Sequence, residues 1–231
     1  MMSGTERDAL GTSGEVNVDG LILWDNTFCR SADEPIKGDA MGRVFGDFDV
    51  QRFWKPSKYA VEQYIGRPLD DEAVASVERR LGYKLPESYI ELMRVQNGGL
   101  PLRTNHRTAE RTSWADDHIA ITGIYSIGSD KPCSLCGDHG SRFWIEEWGY
   151  PPIGVYFADC PSAGHDMVCL DYRACVPTGE PQVVHVDQEC DYRIVFVAPS
   201  FEAFIRGLQD DSAFELQDGS AEPDPPNVKS A

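Results

Sequence analysis

The amino-acid sequence predicts an α+β domain: a mostly antiparallel sheet of about six strands, flanked by an N-terminal helical hairpin and a C-terminal helix. Three observations lead there. Apolar residues recur with helical spacing between residues 70 and 97, short β-branched and aromatic runs separated by turn residues take over past residue 118, and helical spacing returns after Ser200.

Each element has a local cause. Leu69-Asp70-Asp71-Glu72 opens a helix near 70–81, because acids at that end offer a cap and complement the positive pole of the helix dipole. Val74, Val77 and Leu81 follow at i, i+3 and i+7 as its inward face, and Gly82 ends it. A second helix, near 86–97, starts at Pro86 and carries Tyr89, Ile90, Leu92 and Met93 inward before Asn97-Gly98-Gly99 stops it. The strands expected are 119–127, 142–148, 154–158, 167–172, 182–186 and 192–197. The connections Pro161–Gly164 and Pro177–Pro181 are too short to hold crossover helices, so the strands should form an antiparallel meander. Ser200 then caps a helix bearing Phe201, Phe204, Ile205 and Leu208. Residues 21–68 are weakly patterned: Leu21–Trp24 reads as an edge strand, Gly38–Asp49 as loop and Tyr59–Ile65 as a short helix. There is no internal repeat.

The ends differ from the middle. Residues 1–20 lack apolar periodicity and read as a flexible lead-in. Residues 209–231 read as an acidic disordered tail, rich in Asp and Glu and interrupted by Pro223, Pro225 and Pro226, which leaves one domain over 21–208. Across the 231 residues the formal net charge is −17, which argues against a nucleic-acid binder and favours neutral or basic protein partners. No run of about twenty apolar residues and no charged start followed by an apolar run is present, so no membrane association is expected and the location expected is the cytoplasm. Seven scattered cysteines fit reduced thiols better than a disulfide framework.

Three separated blocks carry a resemblance: LGYKLPESYIELMRVQNGG at 81–99, WGYPPIGVYFADCPSAGHDMVCLDYR at 148–173 and GEPQVVHVDQECDYRIVFVAPSFEAFIRGL at 179–208. Together they resemble the SUKH superfamily, and within it the Smi/Knr-like family, over roughly residues 54–208. The resemblance implies an α+β domain that binds other proteins. Bacterial members are mostly immunity proteins against polymorphic toxins, many of them nucleases or deaminases, and fungal members are hubs in cell-wall signalling. The family has no established catalytic residues to carry over.

Several residues have the types and spacing of chemical sites, and each also has a plainer role. Cys133-x-x-Cys136 with His139 has zinc-ligand spacing, but a structural site needs a fourth ligand and only one CxxC exists, so two loop thiols and no cofactor are favoured. Ser162, His165 and Asp166 hold the residue types of a hydrolase triad within five positions; working triads draw on separate elements, so a turn is the better reading. No Walker loop, dinucleotide fingerprint, HExxH, EF-hand or kinase motif occurs, and an enzyme is disfavoured. The acids Glu146, Glu147, Asp159, Asp166, Asp171, Glu180, Asp187, Glu189 and Asp191 stand against Arg173 alone. In period-two strands they can gather on one rim, and that rim could imitate nucleic-acid phosphate and block a basic cleft. Asp159, Asp166, Asp171, Glu180, Asp187 and Glu189, with Trp148 and Tyr150 as aromatic anchors, form the expected docking set; Trp144 and Tyr156 read as core. The function expected is a cytoplasmic immunity protein that occludes a basic toxin domain. The alternatives are a regulatory scaffold in cell-wall signalling, or a metal-binding or hydrolytic protein built on Cys133, Cys136 and His165.

Overall fold

Side-chain caps start the helices where the sequence offers them. In the computed structural model, which describes residues 44–214, Ser57 accepts from the Ala60 N–H to open α1 (Lys58–Gln63). Asp70 accepts from the Ala73 N–H at 2.7 Å to open α2 (Asp71–Leu81), and Gly82 closes that helix in the left-handed region, at φ +83°. Val74 and Val77 are buried as expected, while Leu81 is only half-buried. Glu78 takes an inward place: its carboxylate accepts from the Leu85 N–H at 3.0 Å and pairs with Lys84 Nζ at 2.5 Å.

Pro86 precedes α3 (Glu87–Val95), which buries Tyr89, Ile90, Leu92 and Met93. An exposed ion pair joins Arg94, at the end of α3, to Asp71, at the start of α2, as an antiparallel hairpin brings those ends together. The chain leaves α3 through Asn97, whose amide spans to the backbone of Arg67 and Ile127, and Gly98. Gly98 lies at φ +88°, and a Cβ there would sit 2.6 Å from the Tyr64 carbonyl oxygen, so the close approach of two backbones requires glycine.

Two antiparallel sheets follow. Residues Asn105–Arg107 (β1) and His118–Ala120 (β2) form a small pair, of which the sequence pattern does not announce β1. The strands Gly123–Ile124 (β3), Gly154–Asp159 (β4), Asp166–Asp171 (β5), Gln182–Asp187 (β6) and Arg193–Ala198 (β7) make a five-stranded sheet in chain order, the meander expected from the short connections. The strand expected over 119–127 is thus divided between β2 and β3.

The strand expected over 142–148 is a helix, α4 (Ser141–Glu146). Four apolar residues in a short stretch fit either periodicity, and tertiary contacts decide. Ser141 Oγ accepts from the Tyr156 N–H at 3.0 Å, which sets the start of α4 against β4, and Trp144 Nε1, three residues on, donates to the Tyr125 hydroxyl at 3.2 Å.

The last helix, α5 (Phe201–Gly207), is capped by Ser200 and buries Phe201, Phe204 and Ile205. Tyr89 joins the layers: its ring meets Phe157 and Phe201 edge-on, and its hydroxyl donates to the Tyr125 carbonyl at 2.6 Å. Residues 209–214 differ from the reading of a tail that begins at 209. Gln209 and Asn105 exchange backbone hydrogen bonds of 3.1 and 2.8 Å, and Asp211–Ala213 form a 3-10 turn. The lead-in, Leu21–Trp24, residues 38–43 and 215–231 lie outside the described residues.

Candidate functional site

The register of β5 and β6 sets where the strand acids point. Asp166 stands opposite Asp187 and Val168 opposite His185, so Asp166, His185 and Asp187 share one face. That face is covered. Every residue of Val183–Asp187 is buried, and so are Asp166 and Asp171.

Each inward carboxylate has internal partners. Asp187 accepts from both the amide and the hydroxyl of Ser113, each at 2.9 Å; burial alone would push its carboxyl up, and these bonds hold it below the ordinary carboxylate value instead. Asp171 follows the same pattern, its burial outweighed by the Arg173 guanidinium at 2.8 and 2.9 Å and the Gln182 amide at 3.0 Å. Asp166 lies 2.8 Å from His185 Nε2 and accepts from the Ser162 hydroxyl. Asp159 is different: burial pushes it up to about 6, against the opposing hydrogen bond from the Tyr64 hydroxyl at 2.8 Å. These four acids are therefore not a surface rim. The period-two alternation is real, but the segment around Ser113 and the turn after β4 cover the face of Asp166 and Asp187, while Asp159 and Asp171 lie on the opposite face.

A smaller set stays outside. Glu146, Glu147, Glu180, Glu189 and Asp191 are exposed, Trp148 is half-buried, and Tyr150 is buried with its hydroxyl donated to the Gly164 carbonyl at 2.7 Å. Trp144 and Tyr156 are core, as expected. His165 is exposed, with Nδ1 2.7 Å from Glu189 and its ring edge-on to Trp148 at 6.4 Å. The Tyr192 hydroxyl donates to the Trp148 carbonyl and ties the turn after β6 to the end of α4. Among the described residues, the three non-glycine residues at positive φ are Ala163, Asp191 and Tyr192, all in the two turns that frame this patch. The patch thus joins an aromatic ring and several carboxylates on constrained turns, while Glu180 lies on a different connection.

Neither chemical constellation suggested by the sequence assembles. Ser162 bonds Asp166 directly and His165 turns to Glu189, so no base stands between hydroxyl and carboxylate. Cys133 and Cys136 occupy separate surroundings. Cys133 is buried beside Asp159, and burial and that carboxylate push its thiol up to about 12; Cys136 is half-buried near Arg80 and Arg142, and His139 is exposed against Phe143. Among the described residues, donor atoms of metal-ligating type come within 4.8 Å of one another in a different trio, Cys160, Asp166 and His185. Cys160 and His185 do not stand out in the sequence because they sit in or beside apolar strands; alternation along β6 puts His185 and Asp187 on one face, and the register of β5 against β6 adds Asp166 to it.

No curated protein and no solved structure matches the chain. A family model does, over residues 68–207, a span that runs from the start of the helical hairpin through α5 and includes the patch around Trp148. The chain belongs to the SMI1 / KNR4 family (SUKH-1).

Proposed function

We propose that the protein is a cytoplasmic immunity protein that binds a polymorphic toxin of nuclease or deaminase type and occludes its active cleft, with no catalytic turnover of its own. Family membership supports a protein-binding role of the immunity or cell-wall-related kind, and members are generally non-enzymatic. The observation that carries the finer reading is the patch itself. Trp148 supplies a large, partly exposed anchor, and Glu146, Glu147, Glu189 and Asp191 surround it with negative charge on a chain of net charge −17. Acids so placed attract a basic, nucleic-acid-binding cleft and orient the encounter; the aromatic ring then contributes most of the short-range energy.

The test is to mix the purified chain with a toxin encoded beside it. A stoichiometric complex and loss of toxin activity are expected. Trp148→Ala should weaken binding roughly tenfold or more, while Val176→Ala, at an exposed site on another connection, should leave it unchanged. Binding without inhibition would favour a regulatory scaffold, and equal affinity for Trp148→Ala and the parent would remove the patch from the interface.

A further inference from the structure

Cys160 follows β4, Asp166 begins β5 and His185 lies within β6, so three separate strand segments bring a thiol, a carboxylate and an imidazole to one point. Their donor atoms all lie within 4.8 Å of one another, and the residues are 3%, 2% and 0% exposed. One of these groups is unsatisfied in a way that interiors rarely tolerate: His185 Nδ1 is buried without a hydrogen-bond partner. The Cys160 thiol, a weak donor that is often buried unbonded, is free to ligate.

We propose that Cys160, Asp166 and His185 form a zinc site that staples the β4–β5 turn to β6. The donor set selects the metal. One sulfur, one nitrogen and one oxygen ligand suit Zn²⁺, whereas calcium and magnesium take oxygen ligands. Neighbouring ligand atoms around tetrahedral zinc are about 3.3–3.8 Å apart, so modest side-chain rotation closes the trio on one ion. The fourth place falls to a water or to the second Asp166 oxygen, the one that Ser162 now orients. Binding displaces the Cys160 thiol proton to solvent, leaving the thiolate on zinc. The same residue types could also describe a cysteine nucleophile with a histidine base, but burial leaves a substrate no access. The inference is independent of the toxin-binding reading.

The experiment uses the full chain, stripped of metal under reducing conditions and then loaded with Zn²⁺ or Co²⁺. About one zinc per chain is expected, with a thiolate-to-cobalt charge-transfer band and a rise of several degrees in melting temperature on zinc addition. All three should be lost in Cys160→Ser and kept in the double variant Cys133→Ser, Cys136→Ser. Asp166→Asn, isosteric and still able to bond Ser162, should weaken zinc at least tenfold and stands in if Cys160→Ser does not fold. A folded parent without the cobalt band overturns the proposal. So does zinc binding that survives Cys160→Ser and disappears with Cys133 and Cys136, which would move the metal to the loop thiols.

Discussion

Two aspartates in the central sheet show how differently one residue type behaves when its partners differ. Asp159 has one side-chain donor, Tyr64, and neither that bond nor the backbone N–H groups beside it offset its burial, so the carboxyl rises from 3.8 to about 6. A folded-state value above the unfolded one contributes stability that is full below about pH 4 and lost as pH rises through about 6. Asp159→Asn removes that dependence: between pH 4 and pH 7 it should gain roughly 1–3 kcal/mol on the parent. Denaturant unfolding at the two pH values checks it, and parallel curves for variant and parent would mean that the carboxylate is solvated. Asp187 has the opposite sign. Its donors hold the carboxyl below 3.8, so its contribution is present above about pH 4 and falls away as the solution is acidified further. Asp187→Ala orphans the Ser113 amide and hydroxyl and should cost roughly 1–3 kcal/mol at pH 7, with faster proteolysis in the segment that Ser113 anchors.

At the scale of elements, the hairpin offers a comparison within one motif. Leu92 in α3 is fully buried, while Leu81 in α2 is half-buried because Glu78 occupies part of the inward face. Leu92→Ala should cost roughly 2–5 kcal/mol, whereas Leu81→Ala should cost clearly less, since it loses less transfer energy and leaves a groove open to water rather than a closed cavity. Equal losses in thermal or denaturant unfolding would put Leu81 inside. Legibility followed the same physics. Where caps, periodicity and stop residues agree, as at Asp70, Gly82, Pro86 and Ser200, the sequence specifies the element. Where a short apolar run fits two periods, as at Phe143-Trp144-Ile145, contacts from Tyr156 and Tyr125 decide, and these come from other parts of the chain. The candidate site was half legible for a related reason. Alternation along β6 says that His185 and Asp187 share a face, but only the fold says that Ser113 and the turn at Ser162 cover it.

For the whole molecule, burial of those acids narrows where charge can act. Reversing Asp187 would bury an unpaired cation against His185 and report on folding rather than recognition. Glu147, next to Trp148 in the chain, and Glu189, joined to it through His165, are exposed, and a charge there changes the long-range field and costs the fold little. Glu147→Lys with Glu189→Lys should therefore leave the melting temperature within a few degrees of the parent while slowing association with a basic toxin. Because the effect is electrostatic steering, it should be largest at low salt, and the association rate of the variant should depend less steeply on ionic strength. Dissociation should change little, since exposed pairs contribute only about 0–1 kcal/mol once formed. Stopped-flow kinetics at low and high salt separates the terms. Equal association rates for variant and parent at low salt would show that the acids on this face serve solvation alone, and that the toxin meets the domain on another surface.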